Sequence, residues 1–156
     1  MRFQEAVASS NDVRDSYRPG LQALPERDRN RLTFKNTRKI TGSLNLDAAV
    51  AQLYPNAARW DYGIGIKKTE TTDKAVWVEV HPADAHQVQK MIEKRAWLRN
   101  WLENRAPDLM TMTQGDSPYI WVASGGVSFQ QTSPQAKRLA LEGITFPREH
   151  YFIETR

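Results

Sequence analysis

The sequence predicts a single α/β domain in which helices flank a mixed sheet, and three observations predict it. Two runs alternate apolar and polar residues, Asp61 to Ile66 and Val76 to His81, with the polar stretch Lys67 to Lys74 between them. Period two is the mark of a strand, and two such runs in succession read as a β-hairpin. Downstream, Val88, Met91, Ile92, Leu98, Trp101 and Leu102 recur with helical period. Tyr119 to Ala123 is then a continuous apolar run of strand length, rich in aromatic and β-branched residues, as expected of a buried strand. With 156 residues, 40% apolar and 26% charged, the chain has the size and composition of one globular domain with a core.

Residues 1–37 read as a basic, poorly patterned N-terminal arm, with Pro19-Gly20 and Pro25 as breaks. Residues 38–156 read as the α/β domain. Arg38 to Ser43 forms a short strand. A short helix spans Leu46 to Tyr54, capped by Asn45 or Asp47 and stopped by Pro55, because a residue before proline avoids the helical region. After the hairpin, Asp84 and Gln87 make a D-x-x-Q pair of capping-box type at the head of the long helix, and Pro107 lies just beyond its end. Arg95 interrupts the apolar stripe, so it must snorkel or find a partner. Gly125-Gly126 reads as a turn into a strand at Val127 to Gln130. Ser133-Pro134 starts a short helix that stops at Gly143. Phe146 to Ile153 closes the sheet at an edge, where Pro147 is tolerated.

Composition narrows the chemistry. Cysteine is absent, which excludes disulfide scaffolds, Cys-ligated zinc, iron–sulfur clusters and Cys nucleophiles. Neither a membrane-spanning stretch nor a secretory leader pattern is legible, so no membrane partner is expected and the cytoplasm is the simplest location. Residues 1–60 hold ten Lys/Arg and six Asp/Glu, and so carry the whole net charge of +4. Within them Arg27, Arg29, Arg31, Lys35, Arg38 and Lys39 face only Glu26 and Asp28 in sequence. Such a segment is suited to phosphates of DNA or RNA, or is a solvated basic surface. Trp97 and Trp101, four apart on the long helix, read as packing or as a surface for a protein partner.

The hairpin holds the candidate chemistry. Pairing residue 66 with 76 sets Asp61 across from His81; any register with an even residue sum gathers Asp61, Glu79 and His81 on one face. Odd registers set Asp61 among Val76, Val78 and Val80, at a cost of several kcal/mol or so. Two carboxylates and an imidazole on one face can hold a cation, and Gly63 and Gly65 leave space beside them. Oxygen ligands suit Mg²⁺ or Mn²⁺, which support phosphodiester displacement. The bland alternative is that the three are the polar alternates of an ordinary hairpin.

Asp61, seventeen intervening residues, and Glu79-Val80-His81 on the next strand, followed by a helix, resemble the metal-binding core of the PD-(D/E)XK nuclease superfamily. The resemblance implies a restriction-endonuclease-like core over about residues 45–125. It also implies Asp61 and Glu79 as metal ligands, Asp47 as the acid of an earlier helix, and Asp61, Glu79 and His81 as catalytic residues with Mg²⁺ or Mn²⁺. Two features depart from the pattern. His81 stands where the family has lysine, and Pro55 to Trp60 is too short for the strand that usually precedes the aspartate. Lys90 and Lys94 on the long helix could supply the missing charge, or are solvated surface lysines. Two functions therefore stand: a divalent-metal-dependent nuclease, or a non-catalytic module of the same fold that binds nucleic acid or protein.

Overall fold

Local capping and periodicity explain most of the elements. A computed structural model describes residues 1–115 and 117–155. Asn45 accepts a hydrogen bond from Ala48 N at the head of a helix over Leu46–Val50. Ser133 does the same with Ala136 N before a helix at Pro134–Leu141, and Gly143 ends that turn at φ +71°. The long helix runs Val88–Arg105; Asp84 caps the short 3₁₀ turn Ala85–Gln87 ahead of it, not the helix itself. Val88, Met91, Leu98, Trp101 and Leu102 of the expected stripe are buried and Ile92 is half-buried. Arg95 finds its partners: Nη1 lies 3.2 Å from Glu142 Oε2, and the guanidinium sits 5.3 Å from the Tyr119 ring centroid. Pro107 opens a further helix, Pro107–Met112, as its N1 proline.

In chain order the helices are α1 (Phe3–Ala8), α2 (Glu26–Arg29), α3 (Leu46–Val50), α4 (Val88–Arg105), α5 (Pro107–Met112) and α6 (Pro134–Leu141). The strands are β1 (Tyr17–Arg18), β2 (Leu32–Phe34), β3 (Ile40–Asn45), β4 (Tyr62–Lys67), β5 (Asp73–Ala83), β6 (Tyr119–Val127) and β7 (Tyr151–Ile153). Among the described residues they form a mixed five-stranded sheet, β1-β3-β4-β5-β6, and a two-stranded parallel ribbon, β2-β7. β3, β4 and β5 are an antiparallel meander; α4 and α5 then cross over so that β6 runs parallel to β5. No described helix is long and apolar enough to cross a membrane.

Both faces of the sheet are covered. Tyr62, Ile64, Ile66, Val76, Val78, Ile120 and Val122 pack under Leu24, Leu32, Phe34 and Ile153 on one side. Leu44, Trp77 and Trp121 pack with α1, α4 and α5 on the other. The hairpin register has an even residue sum, as the burial argument requires, but joins Ile66 to Lys74 and not to residue 76. That shift of two keeps every side chain on its face and sets Asp61 beside Glu79 instead of His81.

Three expectations need correction. Residues 1–37 are not a separate arm: Phe3, Ala6 and Val7 are fully buried against the sheet, and β1 and β2 are strands of the fold. Their pattern is weak because each element is short and contributes at most three anchors. Gly125 and Gly126 lie within β6 and do not turn the chain. Of the C-terminal stretch, Arg148 does meet the sheet's edge by bridging Val122 of β6, but the strand β7 pairs with β2 instead.

The space expected above Gly63 and Gly65 is filled. A Cβ on Gly63 would lie 2.6 Å from the Trp77 ring, and one on Gly65 would lie 2.4 Å from Phe3 Cγ. These glycines admit large neighbours; they do not leave room for an ion. Gly65→Ala is therefore expected to destabilise by about 1–3 kcal/mol through overpacking, measured by urea denaturation. A neutral effect would mean that α1 does not dock where described.

Candidate functional site

The site lies where the chain enters β4 and the second half of β5 passes alongside. Asp61 N donates to Glu79 Oε1 at 3.0 Å, and Val80 N donates to Asp61 Oδ2 at 3.0 Å. The Asp61 main chain thus meets the Glu79 carboxylate, while the Asp61 carboxylate itself turns to Val80 N. Glu79 is 1% exposed. Its Oε2 is 3.0 Å from Lys94 Nζ and 3.6 Å from His81 Nδ1, while His81 Nε2 is 2.7 Å from Gln87 Oε1. Lys94 also donates to Arg59 O at 2.9 Å.

Lys94 is the residue that sequence reasoning underrated. It reaches inward from the second turn of α4, whereas Lys90 is exposed. Its ammonium stands beside Glu79, although no lysine occupies position 81. The signal available was its place six residues past the start of a helix that must pack on Glu79's face.

Burial raises the Asp61 carboxyl to about 7, and the negative charge of Glu79 pushes in the same direction. The Val80 N–H and Lys94 oppose them without cancelling them. His81 is raised from its ordinary value, chiefly by Glu79 against the opposing effect of burial. A carboxyl that titrates near neutrality can exchange a proton at working pH.

That shift also has a stability consequence. Asp61 titrates near 7 when folded and about 3.9 when unfolded, so the native state binds more protons between those values. Stability therefore falls as pH rises through that window, and the full penalty applies above it. Asp61→Asn keeps an acceptor for Val80 N and removes the charge. The variant is expected to gain about 1–2 kcal/mol at pH 8, after discounting for partial exposure, and close to nothing at pH 4. Thermal melts of both proteins in EDTA check this; equal gains at both pH values would contradict it.

Asp47 stands apart from the pair. Its Oδ1 lies 2.8 Å from Arg59 Nε, and Arg59 also donates to Tyr54 O at 2.7 Å. Among the described residues no three His, Asp or Glu side chains gather as a metal-ligand group. Asp61 presents Oδ1 as an oxygen that accepts no hydrogen bond from a described residue. Both oxygens of Glu79 are engaged by Asp61 N and Lys94 Nζ. The donor set thus fits one direct carboxylate ligand, Asp61, with Lys94 already providing positive charge at Glu79.

The basic segment divides. Arg27 and Arg31 join Asp28, Asp61, Tyr62, Val80 and Ser124 around a cavity of about 420 Å³. Arg31 donates from Nη1 to Ala123 O at 3.1 Å and from Nη2 to Ser124 O at 3.4 Å. The buried Tyr62 hydroxyl donates to Asp28, whose other oxygen lies 3.6 Å from Arg27 Nε. Arg29 is exposed on α2. Lys35 pairs with Glu154 at 3.3 Å and, with Lys39, lines a different cavity; Arg38 is exposed beside it in sequence.

The tryptophan pair is packing. Trp97 and Trp101 stack with centroids 6.2 Å apart, and Trp97 meets the edge of Tyr54. Trp101 is 2% exposed and donates Nε1–H to Asp12 Oδ2 at 3.0 Å, so it is not available to a partner. Compared with known proteins, the chain matches no family model, no curated protein and no solved structure, so the site's own geometry carries the functional reading.

Proposed function

We propose that this protein is a nuclease-like hydrolase of nucleic-acid phosphodiesters, with its site in the cavity shared by Asp61, Arg27 and Arg31. The observation that carries the reading is that juxtaposition: a carboxyl poised near neutrality faces the same cavity as two guanidinium groups. Arginine suits phosphate oxygens, and a carboxyl with such a pKa suits proton transfer or metal ligation. Further support comes from the meander β3-β4-β5 followed by α4, with Asp61 at the head of its second strand and Glu79 on its third. Among the described residues no strand lies between α3, which bears Asp47, and Asp61, a departure from the nuclease family's pattern.

In this reading Arg27 and Arg31 hold the phosphate. Asp61 Oδ1 faces it, oriented by the Val80 N–H on Oδ2. Glu79 holds the Asp61 main chain and fixes Lys94, and His81 buttresses Glu79. Mg²⁺ or Mn²⁺ bound at Asp61 would supply charge neutralisation for the phosphodiester.

A second reading has its own support. Because both Glu79 oxygens are engaged by protein donors, the same cavity suits a non-catalytic module that binds the phosphate backbone. Cleavage of DNA and RNA oligonucleotides with Mg²⁺, Mn²⁺ or EDTA separates the two. Metal-dependent cleavage that falls at least about 100-fold in Asp61→Asn, with folding intact, supports the hydrolase. Salt-sensitive binding without cleavage assigns the module instead.

A further inference from the structure

We infer that the outward face of the β2-β7 ribbon is a nucleic-acid contact surface continuing from the Asp61 cavity, on which Phe152 stacks against a base. The inference rests on the phosphate reading of that cavity, for hydrolase and binding module alike.

The ribbon's pairing decides which side chains face out. Leu32, Phe34 and Ile153 are buried toward the main sheet, and the paired residues Thr33 and Phe152 between them are exposed. Phe152 is 55% exposed, the one aromatic among the exposed large apolar side chains of the described residues. A single exposed apolar residue is ordinary; what marks this one is its setting. Tyr151 N donates to Arg31 O, and Lys35 N donates to Ile153 O. The pairing therefore reaches Arg31 at one end of the ribbon and Lys35 at the other. At about 3.3 Å per residue these positions are roughly 13 Å apart, with Thr33 and Phe152 midway.

Both ends are basic. Residues 27–39 carry six Lys/Arg against one acid, Asp28. Arg31 lines the Asp61 cavity beside Arg27. At the far end Asn36 Oδ1 accepts from Arg38 N at 3.0 Å and fixes the turn Thr37–Lys39. Lys39 thereby shares with Lys35 a second cavity, of about 360 Å³. Lys35 holds Glu154 at 3.3 Å, but both side chains are about half exposed, and an exposed pair contributes so little that a phosphate can take its place. Opposite Phe152 stands the short Thr33, its hydroxyl 2.5 Å from His150 Nε2. Cations that track a phosphate backbone, with an exposed ring between them for a base of any identity, are what a nucleic-acid strand requires. A second copy seated face to face on the ribbon would set these cations against their own kind, which is unfavourable.

Fluorescence anisotropy of the full chain in EDTA tests this, using a 12-nucleotide single strand of mixed sequence and an abasic strand of the same length. The mixed strand is expected to bind at least about fivefold tighter than the abasic one. Phe152→Ala should remove that difference without changing the abasic affinity, and Phe152→Tyr should keep it. Because the ring is exposed, both variants should melt at the native temperature. Lys35→Ala with Lys39→Ala should reduce the log–log salt slope by about 1.4. Equal affinity for the two strands, or a slope that ignores the two lysines, overturns the inference; binding or cleavage that still depends on Arg27 then leaves the reading of the cavity standing. Sedimentation equilibrium covers the other occupant. A dimer that Phe152→Ala dissolves, with oligonucleotide binding unchanged, gives the ring to a second copy and also overturns it. Absence of binding and of cleavage with either strand, at about 50 mM salt, removes the reading of the cavity and this inference with it.

Discussion

Glu79→Ala is expected to cost about 3–5 kcal/mol of stability, because it leaves the Lys94 ammonium without its buried partner. Glu79 is almost wholly buried, and the Lys94 side chain is 14% exposed, so water cannot readily replace the lost carboxylate. The same change removes the acceptor of Asp61 N, and an amide left without a partner in a half-buried position adds to the loss. The double variant Glu79→Gln with Lys94→Met should recover most of the stability. Glutamine keeps an acceptor for Asp61 N, and no unpaired charge remains. Urea denaturation at pH 7 measures both. The pair also separates structure from chemistry: a double variant that is stable but inactive gives Lys94 and Glu79 a part in the reaction, whereas full activity makes them scaffolding. A loss below about 1 kcal/mol in Glu79→Ala would contradict the ion pair described here.

The second large effect is expected at Asp12, which does not line the cavity. Asp12 Oδ1 lies 2.8 Å from Arg105 Nη2, and its Oδ2 accepts from the Tyr54 hydroxyl at 2.6 Å and from Trp101 Nε1 at 3.0 Å. One carboxylate thus joins the segment after α1 to the chain beyond α3 and to the last turns of α4. The Arg105 guanidinium, with help from Tyr54 and Trp101, holds the Asp12 carboxyl at about 2 against the opposing effect of burial. Asp12→Ala should cost about 3–4 kcal/mol, since the lost charge pair leaves two aromatic donors without an acceptor. The pH dependence follows from the depressed pKa. The stabilisation is complete above the unfolded value of about 3.9 and is lost as pH falls toward 2. The native chain should therefore lose stability over that acid window, and Asp12→Ala should lose less; acid titrations followed by near-UV circular dichroism check this.

Asp12 marks where sequence reading stops. Nothing in its neighbourhood sets it apart from Asp15, which is exposed three residues later. Its role depends on partners 42, 89 and 93 residues away. The site shows the same division. The hairpin's even register was legible, because a one-residue slip would have moved its valines off their face. The Asp61 side chain, however, turns to Val80 N and the cavity, while only its main chain meets Glu79. That the adjacent glycines would be filled by Trp77 and Phe3 was not legible, because Phe3 reaches Gly65 across 62 residues of chain. The basic segment was legible as charge, but the fold sends Arg27 and Arg31 to the cavity and Lys35 to Glu154.

The sequence by itself determined the fold class, the hairpin's parity, the long helix and its buried stripe, and the caps at Asn45, Ser133 and Gly143. These follow from side-chain periodicity and backbone sterics, which act within a few residues. Only the tertiary structure decided that Lys94 would pair with Glu79, that Asp47 would go to Arg59, and that α1 would belong to the core. Those outcomes depend on which charge or ring fills which space once the layers close. Burial makes an unpaired charge or an empty space costly at that moment, whatever its distance along the chain.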